Sequence, residues 1–227
     1  MQIHSFTGEI IKKEQLTADV IILSFKIPED FTFKAGQFLT LFIEKGEARK
    51  PRSYSILNPP SQKGQLDLCI KIVKDGYASE VFDSSKVGDT FEMKGPFGHF
   101  VYDQEDQNKE VWFLGAGTGV APLYSMIKEH LGSKKFNLLF GVRRDENLFL
   151  TKELENMAKQ QPNFSFLPVL SRQDWEGRKG HVQDHLPEDC KNKTFYICGL
   201  KELVTEAKEL LVQKGVDPSN IKSERYN

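Results

Sequence analysis

Three cysteines in 227 residues are too few for most of what cysteine builds. Cys69, Cys190 and Cys198 are odd in number, and none lies in a C-x-x-C pair. That argues against a disulfide scaffold, a zinc site or a four-thiolate iron–sulfur cluster, so no metal site is expected. A reducing cytoplasm is the expected compartment. No apolar run reaches the roughly 18 residues that mark a membrane span. The start, "MQIHSFTGEI", lacks the charged-then-apolar order of a secretory signal. Charge of one sign is missing too: 31 Lys and Arg face 32 Asp and Glu, a net charge of −1. The balance gives no electrostatic reason to bind nucleic acid or an anionic membrane. Tryptophan is scarce, with two residues against 17 phenylalanines. What remains, 39% hydrophobic and 28% charged residues, is an ordinary globular mixture.

The hydrophobic period changes once along the chain. Residues 1–102 read as strands: "VIILSFKI" (20–27), "FLTLFI" (38–43) and "LDLCIKIV" (66–73), which alternates cleanly. Turn residues such as Pro28, Gly36, Gly46, Gly64 and Gly88 punctuate them. Short strands at this spacing predict an antiparallel β-barrel, with one helix near 78–85. The polar segment 103–110, "DQEDQNKE", reads as a linker. From 111 to 227 the rhythm is strand, helix, strand, helix, which predicts an α/β domain with a parallel sheet. Its strands are expected at 111–115, 136–141, 164–170 and 194–199, with an edge strand at 221–226. Helices are expected at 120–131, around 151–160, and at 201–213.

"GAGTGVAP" (115–122) follows an apolar strand and opens a helix. There a glycine-rich turn lets the backbone approach a dinucleotide pyrophosphate, at the positive end of the helix dipole. Gly117, Thr118, Gly119 and Pro122 are the candidates. The usual third glycine of G-x-G-x-x-G is replaced by Val120, and no Lys-Ser or Lys-Thr makes it a Walker loop. A tight turn that needs glycine only for packing is the competing reading. The next two strands run into "GVRRDE" (141–146) and "LSRQDWEGRKG" (170–180). Arg143, Ser171, Arg172 and Arg178 could together grip a ribose 2′-phosphate by charge-assisted bonds, which favours NADPH over NADH. Solvated loop arginines are the alternative.

"PRSYSILNPP" (51–60) places a cation, an aromatic ring and two hydroxyls on one strand. Strand alternation puts Arg52 and Tyr54 on one face and Ser53 and Ser55 on the other. A ligand with both a phosphate and a flat ring would account for that set. Taken with "GYAS" (76–79), "GAGTGVAP" (115–122), "CGL" (198–200) and "ERY" (224–226), in that order, the whole chain resembles the ferredoxin–NADP⁺ reductase superfamily.

The resemblance implies a flavoprotein reductase with bound FAD, FMN being the less favoured flavin. It assigns Arg52 to the flavin phosphate, Tyr54 to stacking on the isoalloxazine and Ser55 to a hydrogen bond near flavin N5, with Ser53 beside them. Ile70, Lys71 and Ile72 line the flavin, and Gly76, Ala78 and Ser79 meet its pyrophosphate. Cys198, with Gly199 and Leu200, meets the nicotinamide. Glu224 lies near the flavin, and Tyr226 covers its far face. Ser55, Cys198, Glu224 and Tyr226 are thus the expected catalytic residues. His99 reads as a turn residue, and His181 and His185 as surface residues. With no cysteine quartet in the chain, the expected acceptor is a separate redox protein, ferredoxin or flavodoxin. Alternatives are a flavin or quinone reductase with a small-molecule acceptor, a cytochrome-b5-type reductase, and a non-enzymatic nucleotide-binding scaffold.

Overall fold

Alternating apolar residues in the first half do make strands. The computed structural model describes residues 2–226. β1 (His4–Thr17), β2 (Val20–Lys26), β3 (Phe38–Lys45), β4 (Ala48–Ser55), β5 (Gln65–Lys71) and β6 (Thr90–Phe97) form one antiparallel sheet in the order β4-β3-β6-β1-β2-β5. Just past β4, Ile56 makes an isolated antiparallel bridge to Leu68 of β5. The two edge strands therefore touch at one point, and the sheet curls into a partly closed barrel. Continuing that register would set Tyr54 against Ile70 and Arg52 against Ile72. No ladder forms there among the described residues, so the facing edges of β4 and β5 stay unpaired. Leu23, Phe25, Leu41, Leu68 and Phe82 fill the interior with no solvent exposure. Each such side chain contributes about 1.5–3 kcal/mol relative to exposure.

α1 (Tyr77–Ser84) is held on the barrel at both ends. Phe82 is its buried anchor, in edge-on contact with Tyr54 at 5.5 Å between ring centres. At its start, the Tyr77 hydroxyl donates to the carbonyls of Ala48 (2.6 Å) and Ile43 (3.2 Å), tying the helix to the β3–β4 hairpin. At its end, the Lys13 ammonium of β1 donates to the carbonyls of Phe82 (2.9 Å), Asp83 (2.6 Å) and Ser85 (3.0 Å). The helix has no basic residue in its own last turn. Lys13 supplies both the missing donors and the charge that suits a helix C-terminus.

The second half alternates as expected. β7 (Glu110–Ala116), α2 (Val120–His130), β8 (Lys135–Val142), α3 (Thr151–Gln160), β9 (Phe164–Leu170), β10 (Arg178–Lys179), β11 (Lys193–Leu200), α4 (Lys201–Gln213) and β12 (Ile221–Tyr226) build a parallel sheet ordered β10-β9-β8-β7-β11-β12. β7 and β11 are buried along nearly their whole length, the pattern of strands covered on both faces. The chain winds outward from β7 in one direction and returns to add β11 on its other side. The switch point between β7 and β11 is where open α/β sheets take ligands. The two-residue β10 has no counterpart in the sequence pattern.

Residues 103–110 are not a loose tether. The Asp106 carboxylate accepts from Lys134 (3.0 Å) and from the Thr194 hydroxyl (2.7 Å). Burial alone would raise its pKa. The Asn108 amide, the Thr194 hydroxyl and the Lys134 ammonium outweigh burial and hold the carboxyl below its ordinary value. The chain divides into two compact units. One runs to Tyr102 and includes Tyr124–Glu129, and the other holds Asp103–Leu123 and the residues from His130 onward. No helix among the described residues is long and apolar enough to cross a membrane.

Candidate cofactor sites

On the first unit the candidate residues lie along the unpaired edges of β4 and β5 and at the start of α1. Arg52 is exposed. Its guanidinium donates to the Pro51 carbonyl at 2.8 Å and lies 6.0 Å from the ring of Tyr77, the first residue of α1. Tyr54 leans on Phe82 of the same helix, so Arg52 and Tyr54 both face α1. Burial pushes the Tyr54 phenol up to about 12, with the Arg52 charge opposing. The ring is neutral at physiological pH, suited to stacking and not to acid catalysis. Ser53 is exposed, and its hydroxyl meets that of Thr40 at 3.2 Å. Ser55 is buried, with 6% exposure. Ile70 is buried, and the exposed Lys71 pairs with Asp19 at 3.2 Å. The Ile72 amide donates to the Asp19 carbonyl at 2.7 Å.

Gly76 caps α1 without a side chain. A Cβ there would fall 2.9 Å from the Val73 carbonyl and 3.0 Å from the Ser79 hydroxyl, so only glycine fits the close turn. Ser79 Oγ accepts from the Val73 amide at 2.9 Å, which folds the loop 73–76 onto the helix, and Ala78 is buried beside it. Helix geometry leaves the N–H groups of residues 77–79 without intrahelical acceptors. These donors, the positive dipole end and the nearby Arg52 form a set that fits a diphosphate. Lys50 was missed in the sequence. Its ammonium stands 4.5 Å from the Tyr77 ring. The signal was available, because Lys50 and Arg52 share a face by strand parity.

On the second unit, Gly117–Gly119 form a tight 3-10 turn that runs straight into α2. Gly117 takes φ +53°, in the left-handed region. Gly119 is needed for a different reason. A Cβ on it would fall 2.5 Å from the Cys198 carbonyl oxygen and 2.9 Å from Gly199 Cα. The glycine turn after β7 thus lies directly on the end of β11, across the switch point. Thr118 is half-buried and Pro122 is buried. Parallel pairing sets Cys198 beside Glu224 and Leu200 beside Tyr226. Cys198 and Tyr226 also share a side-chain hydrogen bond. Burial, and then the Glu224 carboxylate, hold the Cys198 thiol well above its ordinary value, while Tyr226 opposes them. A thiol in that state is neutral, a polarizable contact rather than a nucleophile. Leu200 is exposed at 59%.

The arginines converge through the backbone. The Ser171 amide donates to the Val142 carbonyl at 3.0 Å, and the Arg172 amide to the Arg143 carbonyl at 2.9 Å. Arg178 opens β10, paired with Val169 of β9. All three guanidinium groups are exposed at the C-terminal end of the sheet, where an anion could be gripped. His99 is exposed in its turn, and the His185 ring nitrogen bonds the Lys179 carbonyl at 2.7 Å.

Comparison with known proteins agrees with this division. Residues 7–102 match the oxidoreductase FAD-binding domain family, and residues 113–209 match the oxidoreductase NAD-binding domain family. The chain is 30% identical to ferredoxin–NADP reductase B of Sorangium cellulosum, across the full length of both. It is 27% identical to the reductase component of phenol 2-monooxygenase from a Pseudomonas strain, covering 99% of this chain and 66% of that longer protein. The crystal structure of an Amycolatopsis cytochrome P450 reductase superposes with a TM-score of 0.90 at 27% identity, covering 98% of this chain and 70% of that one. The chain belongs to the ferredoxin–NADP reductase superfamily and is an FAD- and NAD(P)-dependent flavoprotein reductase.

Proposed function

We propose that this reductase draws its electrons from NADPH and delivers them to a separate redox protein, ferredoxin or flavodoxin. Support for the acceptor comes from the end-to-end match with the Sorangium ferredoxin–NADP reductase. The observation that carries the choice of NADPH is the backbone bond joining Arg172 to Arg143, which sets two guanidinium-bearing strand ends side by side. A 2′-phosphate offers the anion such a pair would hold in charge-assisted bonds.

FAD, when bound, supplies the hydride acceptor and the one-electron donor, chemistry that belongs to the cofactor. The chain's residues bind and orient. Arg52 and the N–H groups at the start of α1 hold the diphosphate. Tyr54 gives a neutral face for the ring, and Ser55 donates a hydrogen bond toward its reactive nitrogen. Ile70, Lys71 and Ile72 line the ring from β5. On the second unit, Gly117, Thr118, Gly119 and Pro122 cradle the dinucleotide phosphates. The protonated Cys198, with Gly199 and Leu200, forms the nicotinamide contact. Glu224 and Tyr226, set beside Cys198 and Leu200 by the β11–β12 register, complete that end of the sheet.

Arg172→Ala should raise the KM for NADPH about 10- to 100-fold, the loss of one or two charge-assisted bonds, and leave the KM for NADH within about twofold. Steady-state reduction of an artificial dye with each nucleotide measures this, and an equal change for both removes the 2′-phosphate assignment. For the acceptor, the photoreduced protein is mixed rapidly with ferredoxin, flavodoxin, a quinone and free flavin. Reoxidation by one of the two proteins at a rate that falls with ionic strength is the expected outcome. Reoxidation by the small molecules alone would make the chain a quinone or flavin reductase.

A further inference from the structure

The loop from β9 to β10 carries Ser171, Arg172 and Arg178, and between the two arginines stands Trp175. Its indole is held on several sides before any ligand arrives. The ring N–H donates to the Arg178 carbonyl at 2.7 Å. The six-membered ring covers Gly177, where a Cβ would fall 2.6 Å from Trp175 Cε2 and 2.7 Å from Cη2. Asp174 and Lys179, on either side of the ring in sequence, form an ion pair at 2.8 Å that closes the loop. Gln173 accepts from the Asp145 amide at 3.0 Å and fastens the loop to the segment after β8. Trp175 itself remains half-exposed in a stretch that is otherwise strongly charged.

We infer that Trp175 is the platform on which the adenine of the nicotinamide dinucleotide stacks. The inference rests on the reading above that Arg172 and Arg178 hold the 2′-phosphate. That phosphate is one ribose away from the base, so the base must lie close to whatever grips it. Trp175 is three residues from each arginine, in the same closed loop. Phe140 and Phe149 are buried against one another at 5.1 Å and offer no open face. Stacking on an aromatic ring needs no particular hydrogen-bond pattern, and a preset ring loses little freedom on binding. Adenine is common to NADPH and NADH. Trp175 therefore sets affinity for both, and the arginines set the preference between them.

The test titrates the flavin-loaded protein with adenosine 2′,5′-bisphosphate and with 5′-AMP, following tryptophan emission. Trp112, the other tryptophan, is buried and bonded to Glu110, and serves as an internal reference. Both ligands should quench the wild type, and W175F should remove the quench. W175L should weaken both ligands by one common factor, about 10- to 100-fold, as the loss of a base–aromatic stack predicts. G177A, which displaces the ring without removing it, should weaken both in the same sense. R172A should weaken the bisphosphate alone. A quench that persists in W175F, or wild-type affinity for both ligands in W175L, overturns the platform. If R172A binds the bisphosphate normally while W175L loses both ligands, the 2′-phosphate reading falls and the platform stands. Unchanged flavin absorbance and melting temperature show that a variant is folded, and the W175F quench decides if W175L is not.

Discussion

Gly119→Ala should leave the protein yellow and nearly abolish its reduction by NADPH. The new Cβ would fall 2.5 Å from the Cys198 carbonyl oxygen and 2.9 Å from the Cys198 carbonyl carbon. Both are backbone atoms of β11, a buried strand paired on either side with β7 and β12. That strand cannot yield as the end of a flexible side chain would, so the glycine turn must move instead. Forcing a methyl into such a contact costs about 1–3 kcal/mol in stability. Its effect on transfer is larger, because a shift of about 1 Å in a positioning element can cost about 100-fold in rate. The second-order rate of flavin bleaching by NADPH, followed by stopped flow, should drop at least about 100-fold with flavin content unchanged. Gly117→Ala provides the contrast. That residue has φ +53° but nothing within 4 Å of a new Cβ, so it bears conformational strain alone. About 1–2 kcal/mol, or roughly tenfold, is expected there. Should Gly119→Ala bleach at the wild-type rate, the turn on β11 is not where the dinucleotide is held.

The sequence carried the architecture well because both halves obey a local period. Strand alternation before residue 102 and strand–helix alternation after 111 each follow from which faces are buried, and burial writes itself into every second or every third to fourth residue. Strand parity also placed Arg52 and Tyr54 together, and both do face α1. What parity could not give was depth. Ser55 is on the strand's last position, next to the Ile56–Leu68 bridge, and is buried because the barrel's edges meet there. Long-range pairing of that kind has no local signature. Neither does the capping of α1 by Lys13, a residue about seventy positions away in the chain. The polar run 103–110 was read as solvated because it lacks large apolar groups. Yet Asp106 is nearly buried, in a network of complementary partners that only the folded chain assembles. Trp175 had a signal in its glycine two positions on, but a lone aromatic in a charged loop is too common to single out. Only the hydrogen bond to Arg178 and the close fit over Gly177 distinguish it.

Arg52→Ala should strip the flavin from the protein. The N–H groups that open α1 are neutral dipoles, and an eight-residue helix adds only a fraction of a charge at its end. A diphosphate held there needs a full cation. Arg52 can supply that charge together with the fork geometry that bonds two oxygens at once. Lys50 shares the approach to Tyr77 but offers a point charge on a mobile stem, at 4.5 Å from the ring. Losing two charge-assisted bonds at about 1.5–3 kcal/mol each predicts an FAD affinity lower by at least about 100-fold. Arg52→Lys should recover only part of it, since the charge returns without the fork. Lumiflavin, which has the ring and no phosphate, is the control. Its affinity depends on Tyr54 and its neighbours, so Arg52→Ala should leave it unchanged. Flavin fluorescence during titration of the apoprotein reads all three. If Arg52→Ala weakens lumiflavin and FAD alike, the guanidinium is supporting the fold of the β4 edge rather than a phosphate. If FAD binds the variant as tightly as the wild type, the diphosphate lies elsewhere on the barrel.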